Sequence, residues 1–119
     1  MGSSAITLEL LQELARHQAW ADIAHWKALH ENSALAIAEV ANLLTVPGRK
    51  CANGLDVPLG NADWAKFVQQ LREAGMTAYT AAKTRDQDKI TDAAEVMTTA
   101  CKNCHDKYRD RRKPEDRCK

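Results

Sequence analysis

The sequence is poor in helix breakers and in aromatic residues. Its 119 residues include 5 Gly, 3 Pro, 3 Trp, 2 Tyr and 1 Phe. It also has no apolar run long enough to span a bilayer, because polar residues interrupt each leucine cluster. No secretory signal is recognisable for the same reason, so we expect a chain that is either cytoplasmic or already processed.

Net charge is almost absent as well. The chain has 17 Lys and Arg residues against 16 Asp and Glu residues, which gives a formal charge of +1. This balance does not favour binding to nucleic acid or to an anionic membrane, although the segment from Lys107 to Lys119 is locally basic. The length favours a single domain over residues 1–119.

The few helix breakers are concentrated in one segment. Apart from Gly2, Gly75 and Pro114, every Gly and Pro lies between Pro47 and Gly60. The flanking stretches are rich in Ala, Leu, Glu, Lys and Gln, which have high helix propensity. No window alternates apolar and polar residues as a strand would. The predicted fold class is therefore all-α.

Two helices are predicted after the breaker-rich segment. Asn61 can cap a helix over about residues 62–84, whose apolar positions recur at three-and-four spacing. After a short polar link, a second apolar stripe predicts a helix over about residues 87–112, with Lys and Arg crowding its far end. Two long helices joined by so short a link must lie antiparallel.

The first breaker-free stretch is long enough for two more helices. Its apolar stripe changes phase near residues 18–22. We predict a helix over about residues 4–18, a tight turn, and a second helix over about residues 22–45, which completes an up-down-up-down four-helix bundle. The alternative is one continuous helix of about 40 residues, which a monomer could not cover along its length and which implies a dimer that exchanges helices.

One motif carries recognisable chemistry. Cys101, Cys104 and His105 form the C-x-x-C-H pattern of covalent c-type haem attachment. Two thiols three residues apart can add to the two vinyl groups of one porphyrin, and the adjacent imidazole can reach the iron. A zinc site made by these side chains and Cys118 is the alternative, although structural zinc usually draws ligand pairs from two segments.

The region around this motif resembles a known family. The segment from Cys101 to Arg109, CKNCHDKYR, is similar to the attachment region of the class II c-type cytochromes, which include cytochrome c′. Residues 39–44, EVANLL, and residues 47–49, PGR, are similar to relatives of this group.

The resemblance implies a four-helix bundle that carries one covalently bound haem c with its iron near the C-terminus. It implies thioethers at Cys101 and Cys104 and ligation of the iron by His105. It also makes Arg109 a candidate residue beside the haem, because many relatives have a basic side chain near this face.

The ligand on the opposite face of the haem comes, in this family, from near the start of the first helix. The antiparallel arrangement predicts that about residues 7–14 lie there, and these include no Met, His or Lys. Leu11 stands where electron-transfer relatives carry methionine, which implies a five-coordinate iron in an apolar pocket. The alternative is a six-coordinate iron with His17 as its second ligand.

Two cysteines lie outside the motif. In the predicted bundle the second and fourth helices run in the same direction, so the segments beyond them emerge at one end. A disulfide between Cys51 and Cys118 is therefore geometrically reasonable, with two free thiols as the alternative.

The expected function is that of a monohaem c-type cytochrome that transfers electrons, binds a small gas such as NO or CO, or does both. A dedicated gas-binding protein without a carrier role and a zinc-binding helical module are the alternatives. No acid, base and nucleophile set accompanies the motif, so we expect no enzymatic turnover. The expected partners are a redox protein or the gas, with neither nucleic acid nor membrane, and a homodimer is left open. The resemblance implies a periplasmic location.

Overall fold

The computed structural model describes residues 7–119 and is helical over most of this range. Its elements are α1 (Leu8–Trp26), a π-helical turn (Lys27–Glu31), α2 (Asn32–Leu43), α3 (Ala62–Lys83), α4 (Gln87–Tyr108) and a 3₁₀ turn (Pro114–Asp116). Over the described range the single β pairing is a bridge between Lys50 and Asp56, so the predicted all-α class is confirmed. No helix among residues 7–119 is both long and apolar enough to cross a membrane.

The segments α1, π turn and α2 form one uninterrupted helix. The backbone N–H of Lys27 donates to the carbonyls of Ile23 and Ala24, and that of Asn32 donates to the carbonyl of Lys27. The predicted turn near residues 18–22 is therefore wrong, and the structure has the alternative, a continuous helix. The π-helical turn absorbs the phase change of the apolar stripe, because each of its residues advances less around the axis than in an α-helix. Residues 4–6, assigned to this helix from the sequence, lie outside the described range.

Helices α2, α3 and α4 form a three-helix body, in which α3 packs against α2 on one side and against α4 on the other. The side chains buried between them are mostly small. Apart from Trp64, Val68 and Tyr108, every buried hydrophobic residue in the described range is alanine. These three larger residues cluster with Ala41 at the end of the body where α2 finishes. Within one chain, α1 extends beyond this body, so the predicted four-helix bundle is not completed.

The bounds of α3 match the prediction within one residue. The predicted cap differs, because the Asn61 side chain makes no capping hydrogen bond to the first turn of α3. Its Nδ2 instead donates to the hydroxyl oxygen of Tyr108 at 3.3 Å. Asn61, which was expected to cap α3, thus links the start of α3 to the end of α4.

Helix α4 ends at Tyr108 rather than near residue 112 as predicted. The backbone N–H of Asp110 donates to the carbonyl of His105 at 2.7 Å, which closes the last turn. The carbonyl of Tyr108 then accepts from the N–H of Cys118 at 3.0 Å, so the tail folds back on the helix end.

A disulfide joins the loop after α2 to the tail after α4. Cys51 and Cys118 are bonded to each other, with their Cα atoms 6.6 Å apart, which confirms the predicted pairing. Beside this bond, Nδ2 of Asn53 donates to the carbonyls of Pro114 at 2.9 Å and Arg117 at 3.0 Å. Loop and tail therefore form one connected end of the body.

Gly75 marks a close approach of α3 to α2. A Cβ at this position would lie 2.7 Å from the backbone nitrogen of Ala38 and 2.9 Å from its Cα. Because the clash is with backbone, Gly75→Ala would push the helices apart, at a cost that exceeds the gain in helix propensity. We expect the free energy of unfolding to fall by about 1–3 kcal/mol, measured by urea denaturation followed by circular dichroism.

Gly60→Ala is the matched control for this substitution. A Cβ at Gly60 meets nothing within 4 Å. Its effect should stay within about 0.5 kcal/mol, as for an ordinary surface change. Equal stability of the two variants would contradict the close packing of α2 on α3.

Candidate functional site

The cysteines and histidine of the motif lie on the last two turns of α4, and all three are half-buried. Cys101 and Cys104 are free thiols, whereas Cys51 and Cys118 are bonded to each other. Pairing of the other two cysteines therefore leaves the motif thiols available for chemistry.

The outer face of these turns is charged. Lys102 and Asp106, four residues apart, form an ion pair in solvent. The hydrogen bond from Lys102 to this carboxylate raises the pKa of the ammonium group above its ordinary value. A solvated outer face turns the two thiols toward the interior side of α4.

The environment of Cys104 keeps its sulfur protonated. Burial raises the pKa of the Cys104 thiol above its ordinary value, and negative charge on Cys101 raises this pKa further. Because a thiolate is the attacking species in disulfide formation, a protonated Cys104 disfavours a bond between these two neighbours.

A cavity of about 390 Å³ opens beside Cys104 and His105. This volume lies within the usual range for small-molecule sites. Leu44 from the end of α2, Trp64 from α3 and Tyr108 from α4 supply its apolar wall. Among residues 7–119 the His105 ring has no hydrogen-bond partner, so its unprotonated nitrogen is free to bind a metal.

Polar contacts fix the wall of this cavity. The Tyr108 hydroxyl donates to the Asp63 carboxylate and accepts from Asn61. The ring of Trp64 meets that of Tyr108 edge-on, with centroids 5.0 Å apart. Nε1 of Trp64 donates to the carbonyl of Leu44 at 3.0 Å. The ends of α2 and α4 and the start of α3 are thereby joined next to the motif.

Two arginines line the polar end of the cavity. Arg109, predicted from the sequence, contacts it but also pairs with Asp110 at 2.7 Å. This hydrogen bond holds the pKa of the Asp110 carboxyl below its ordinary value. Sequence reasoning missed Arg117, because the tail has no periodic pattern, and its only signal was the neighbouring Cys118.

The Nε atom of Arg117 is buried and has no hydrogen-bond partner within the described part of the chain. Leaving such a donor unpaired costs about 1–3 kcal/mol. An anionic group in the cavity would satisfy it. The cavity thus combines the Cys104 thiol, an imidazole, an apolar wall and an unpaired cationic donor. The Cys101 thiol lies about one turn away on α4. This set fits a haem with its propionate carboxylates.

The same donors do not fit zinc. Cys118, the fourth ligand of the zinc alternative, is bonded to Cys51 and cannot bind a metal as a thiolate. Across residues 7–119, no three His, Cys, Asp or Glu side chains are grouped so as to hold a metal ion.

The two predicted distal residues, Leu11 and His17, lie exposed on α1. The C-terminal end of α1 meets the body, where Nε1 of Trp26 donates to the carbonyl of Ala82 at 2.7 Å. Within one chain, the structure therefore does not bring Leu11 or His17 to the motif. The physical reason is the missing turn, without which α1 cannot fold back along α4.

Comparison with known proteins finds a match for the segment of the chain that carries the motif. Residues 60–109 match the family model described as Cytochrome C′. This segment includes α3, α4 and the complete C-x-x-C-H sequence. Over this segment the chain is similar to cytochrome c′, a class II c-type cytochrome. Cytochrome c′ proteins bind covalently attached haem c with iron, and haem c is the cofactor of this protein.

The cytochrome c′-like segment ends at Arg109 and does not include α1, α2 or the disulfide-linked tail. Proteins of this family are generally non-enzymatic haem proteins and are typically periplasmic. No curated protein and no solved structure matches the chain.

Proposed function

We propose that this protein is a periplasmic monohaem cytochrome that binds a small neutral gas. In this proposal Cys101 and Cys104 hold the haem through thioethers, and His105 is the ligand of its iron. One observation carries the proposal. The disulfide uses the other two cysteines and leaves the motif thiols free beside an imidazole without a hydrogen-bond partner.

Each residue of the site has a defined task. Each motif thiol adds as S–H across one vinyl group, so sulfur and hydrogen are both retained and no oxidant is needed. The haem, when bound, would supply a ferric/ferrous iron held by His105. Trp64 and Leu44 exclude water from the cavity beside His105, and Arg117 binds a propionate carboxylate.

The apolar character of the distal candidates favours a neutral gas as ligand. Residues 7–14 contribute Leu10, Leu11 and Leu14 and contain no Met, His or Lys. A leucine side chain cannot bind iron, and it excludes water and charged ligands. The proposed partner is therefore NO or CO, and the protein itself performs no catalytic turnover.

An electron-carrier role is the second candidate, supported by the charge beside the site. Arg111, Arg112 and Lys113 are exposed just after the motif, and in the described range no ion pair neutralises them. Such a basic surface suits an acidic redox partner protein, whose encounter it would accelerate.

Optical spectra of the ferrous holoprotein distinguish these roles. We expect high-spin bands that shift when carbon monoxide is added, because the distal candidates among residues 7–14 include no side chain that can bind iron. The control variant, His17→Ala, should match the wild-type spectrum both before and after the gas is added, since His17 is not a ligand in the proposed site.

Low-spin bands that carbon monoxide does not move would contradict the gas-binding proposal and support the electron carrier. If His17→Ala converted such a low-spin spectrum to a high-spin one, His17 would be identified as the second ligand.

A further inference from the structure

Helix α1 leaves its apolar side chains without cover. None of its residues is buried. Its large hydrophobic side chains are 47–70% exposed, and they are Leu8, Leu10, Leu11, Leu14, Trp20 and Ile23. A helix that exposes several large apolar side chains and buries none of its residues marks an interaction site in a protein that functions in water.

The three-helix body has an open side of matching character. Helices α2 and α4 both pack on α3 without packing extensively on each other. Half-buried apolar residues from all three helices remain, and they include Ile37, Leu44, Phe67, Leu71, Met97 and Cys101. In the described range no large side chain is fully buried. A fourth helix between α2 and α4 would complete this core.

We propose that a second copy of this chain supplies that helix. In the resulting dimer, α1 of each protomer lies between α2 and α4 of the other protomer and antiparallel to α2. The two long helices then run antiparallel to each other, and each protomer completes the four-helix bundle of its partner.

The continuity of the long helix identifies the partner as a second copy rather than the chain's own α1. Residues 3–46 contain no Gly or Pro at which the helix could turn back. At the junction, Trp26 is fixed by its hydrogen bond to the Ala82 carbonyl, and its ring lies 4.2 Å from that of His30. Folding α1 back on its own body would break this anchored junction.

The length of α1 matches the length of the open side of the three-helix body. The 19 residues of α1 rise about 28 Å, and the helical path from Trp26 to Leu44 along the body is about 27 Å long. The described chain is 77 Å long and only 27 by 26 Å across, and about a third of its length is α1, most of which has no body beside it. Helix α1 therefore spans the whole open side of a partner.

The register brings the partner's leucines to the motif. Leu11 precedes Trp26 by 15 residues, and Ala41 follows Trp26 by 15 residues. In an antiparallel pair that crosses at Trp26, Leu11 of the partner subunit lies level with Ala41, which packs beside Cys104. Resting on the proposed function, this means that the partner closes the distal side of each haem.

Interface area and charge support this arrangement. Each α1 helix is about 28 Å long and 10 Å wide, and we take half of its surface as covered by the partner's body. The covered surface of both helices and the body surface that covers it together amount to roughly 1,700 Å², which is the size of a standard stable interface. In the same register, Glu9 and Glu13 of the partner subunit come to the end of the body that carries Arg111 and Arg112. Opposite charges at this end favour the antiparallel orientation.

Sedimentation of the full-length, haem-loaded protein tests the exchange. We expect twice the mass of the 13.2 kDa chain, plus two haems. Inserting Gly-Ser-Gly-Asn-Gly-Ser between Ala28 and Leu29 should halve this mass, because the longer hinge lets α1 fold back on its own body. The same six residues inserted between Leu59 and Gly60, in the exposed loop before α3, are the control, and this variant should stay dimeric.

Haem content, read from the visible spectrum of each sample, separates this proposal from the proposed function. A haem-loaded wild-type monomer would overturn the exchange alone. A dimer that the hinge insertion leaves dimeric would also overturn it, since its interface would not use α1. A haem-free dimer that becomes monomeric on insertion would support the exchange and contradict the haem site.

Discussion

Replacing both Cys101 and Cys104 by alanine is expected to abolish covalent haem attachment. The two sulfurs are the free thiols of the described chain, and the remaining cysteines are already bonded to each other. No further free thiol is left that could form a thioether bond to the haem. Extraction with acidified acetone should therefore remove all haem from this variant and none from the wild-type protein.

The same variant should also lose much of its helical circular dichroism. The body buries few large side chains other than Trp64, Val68 and Tyr108, so the haem supplies apolar volume that alanine cannot. Lys102→Ala, within the same motif, is the control. It removes only an exposed ion pair with Asp106 and should retain haem and fold. Haem that resists extraction from the double-alanine variant would contradict the assignment of these thiols.

Removing the disulfide is expected to produce the largest loss of stability. Cys51 and Cys118 are separated by 67 residues, and closing a loop of this length stabilises the folded state by about 4 kcal/mol on the chain-entropy estimate. Replacing both by serine should lower the free energy of unfolding by this amount. Urea denaturation followed by circular dichroism and by haem absorption measures it.

Two readouts are useful because the disulfide lies beside the haem cavity. The loop and tail that it joins contribute Asn53, Pro114 and Arg117 to the cavity wall. Haem absorption should therefore change before the helical signal is lost. Glu115→Gln, an exposed change three residues before Cys118 and outside the cavity wall, is the control and should shift stability by no more than about 0.5 kcal/mol. A loss below about 1 kcal/mol in the double-serine variant would contradict the stabilising role.

The parts of the fold that the sequence predicts well are those with local signals. Helix α3 begins after Asn61 and α4 after Asp86, whose carboxylate accepts from the N–H groups of Asp88 and Lys89. The disulfide follows from topology, because α2 and α4 end on the same side of the body. The haem motif is contiguous, so its chemistry can be recognised without any tertiary structure.

The long first helix could not be predicted from periodicity alone. The change of phase is present in the sequence, but a turn and a π-helical segment produce the same shift in an apolar stripe. The deciding feature is the junction itself. Nε1 of Trp26 donates a hydrogen bond to the carbonyl of Ala82, 56 residues away, and this long-range contact fixes the position of the helix.

The cavity residues outside the motif were missed for a similar reason. Arg117 and Asn53 lie in irregular segments, where no period relates one position to the next. They reach the cavity only because the Cys51–Cys118 bond holds the segments together. The sequence-based prediction put the distal candidates Leu11 and His17 beside the haem of their own chain. It did so by assuming a turn near residues 18–22, which the structure lacks.

The mass of the wild-type protein, matured in a bacterium that attaches c-type haem, tests the central claim most directly. The predicted intact mass is that of the polypeptide plus one haem, and the added mass should lie on the peptide that contains Cys101 and Cys104. The bare polypeptide mass, or haem found on any other peptide, would contradict a cytochrome built on this pair of thiols.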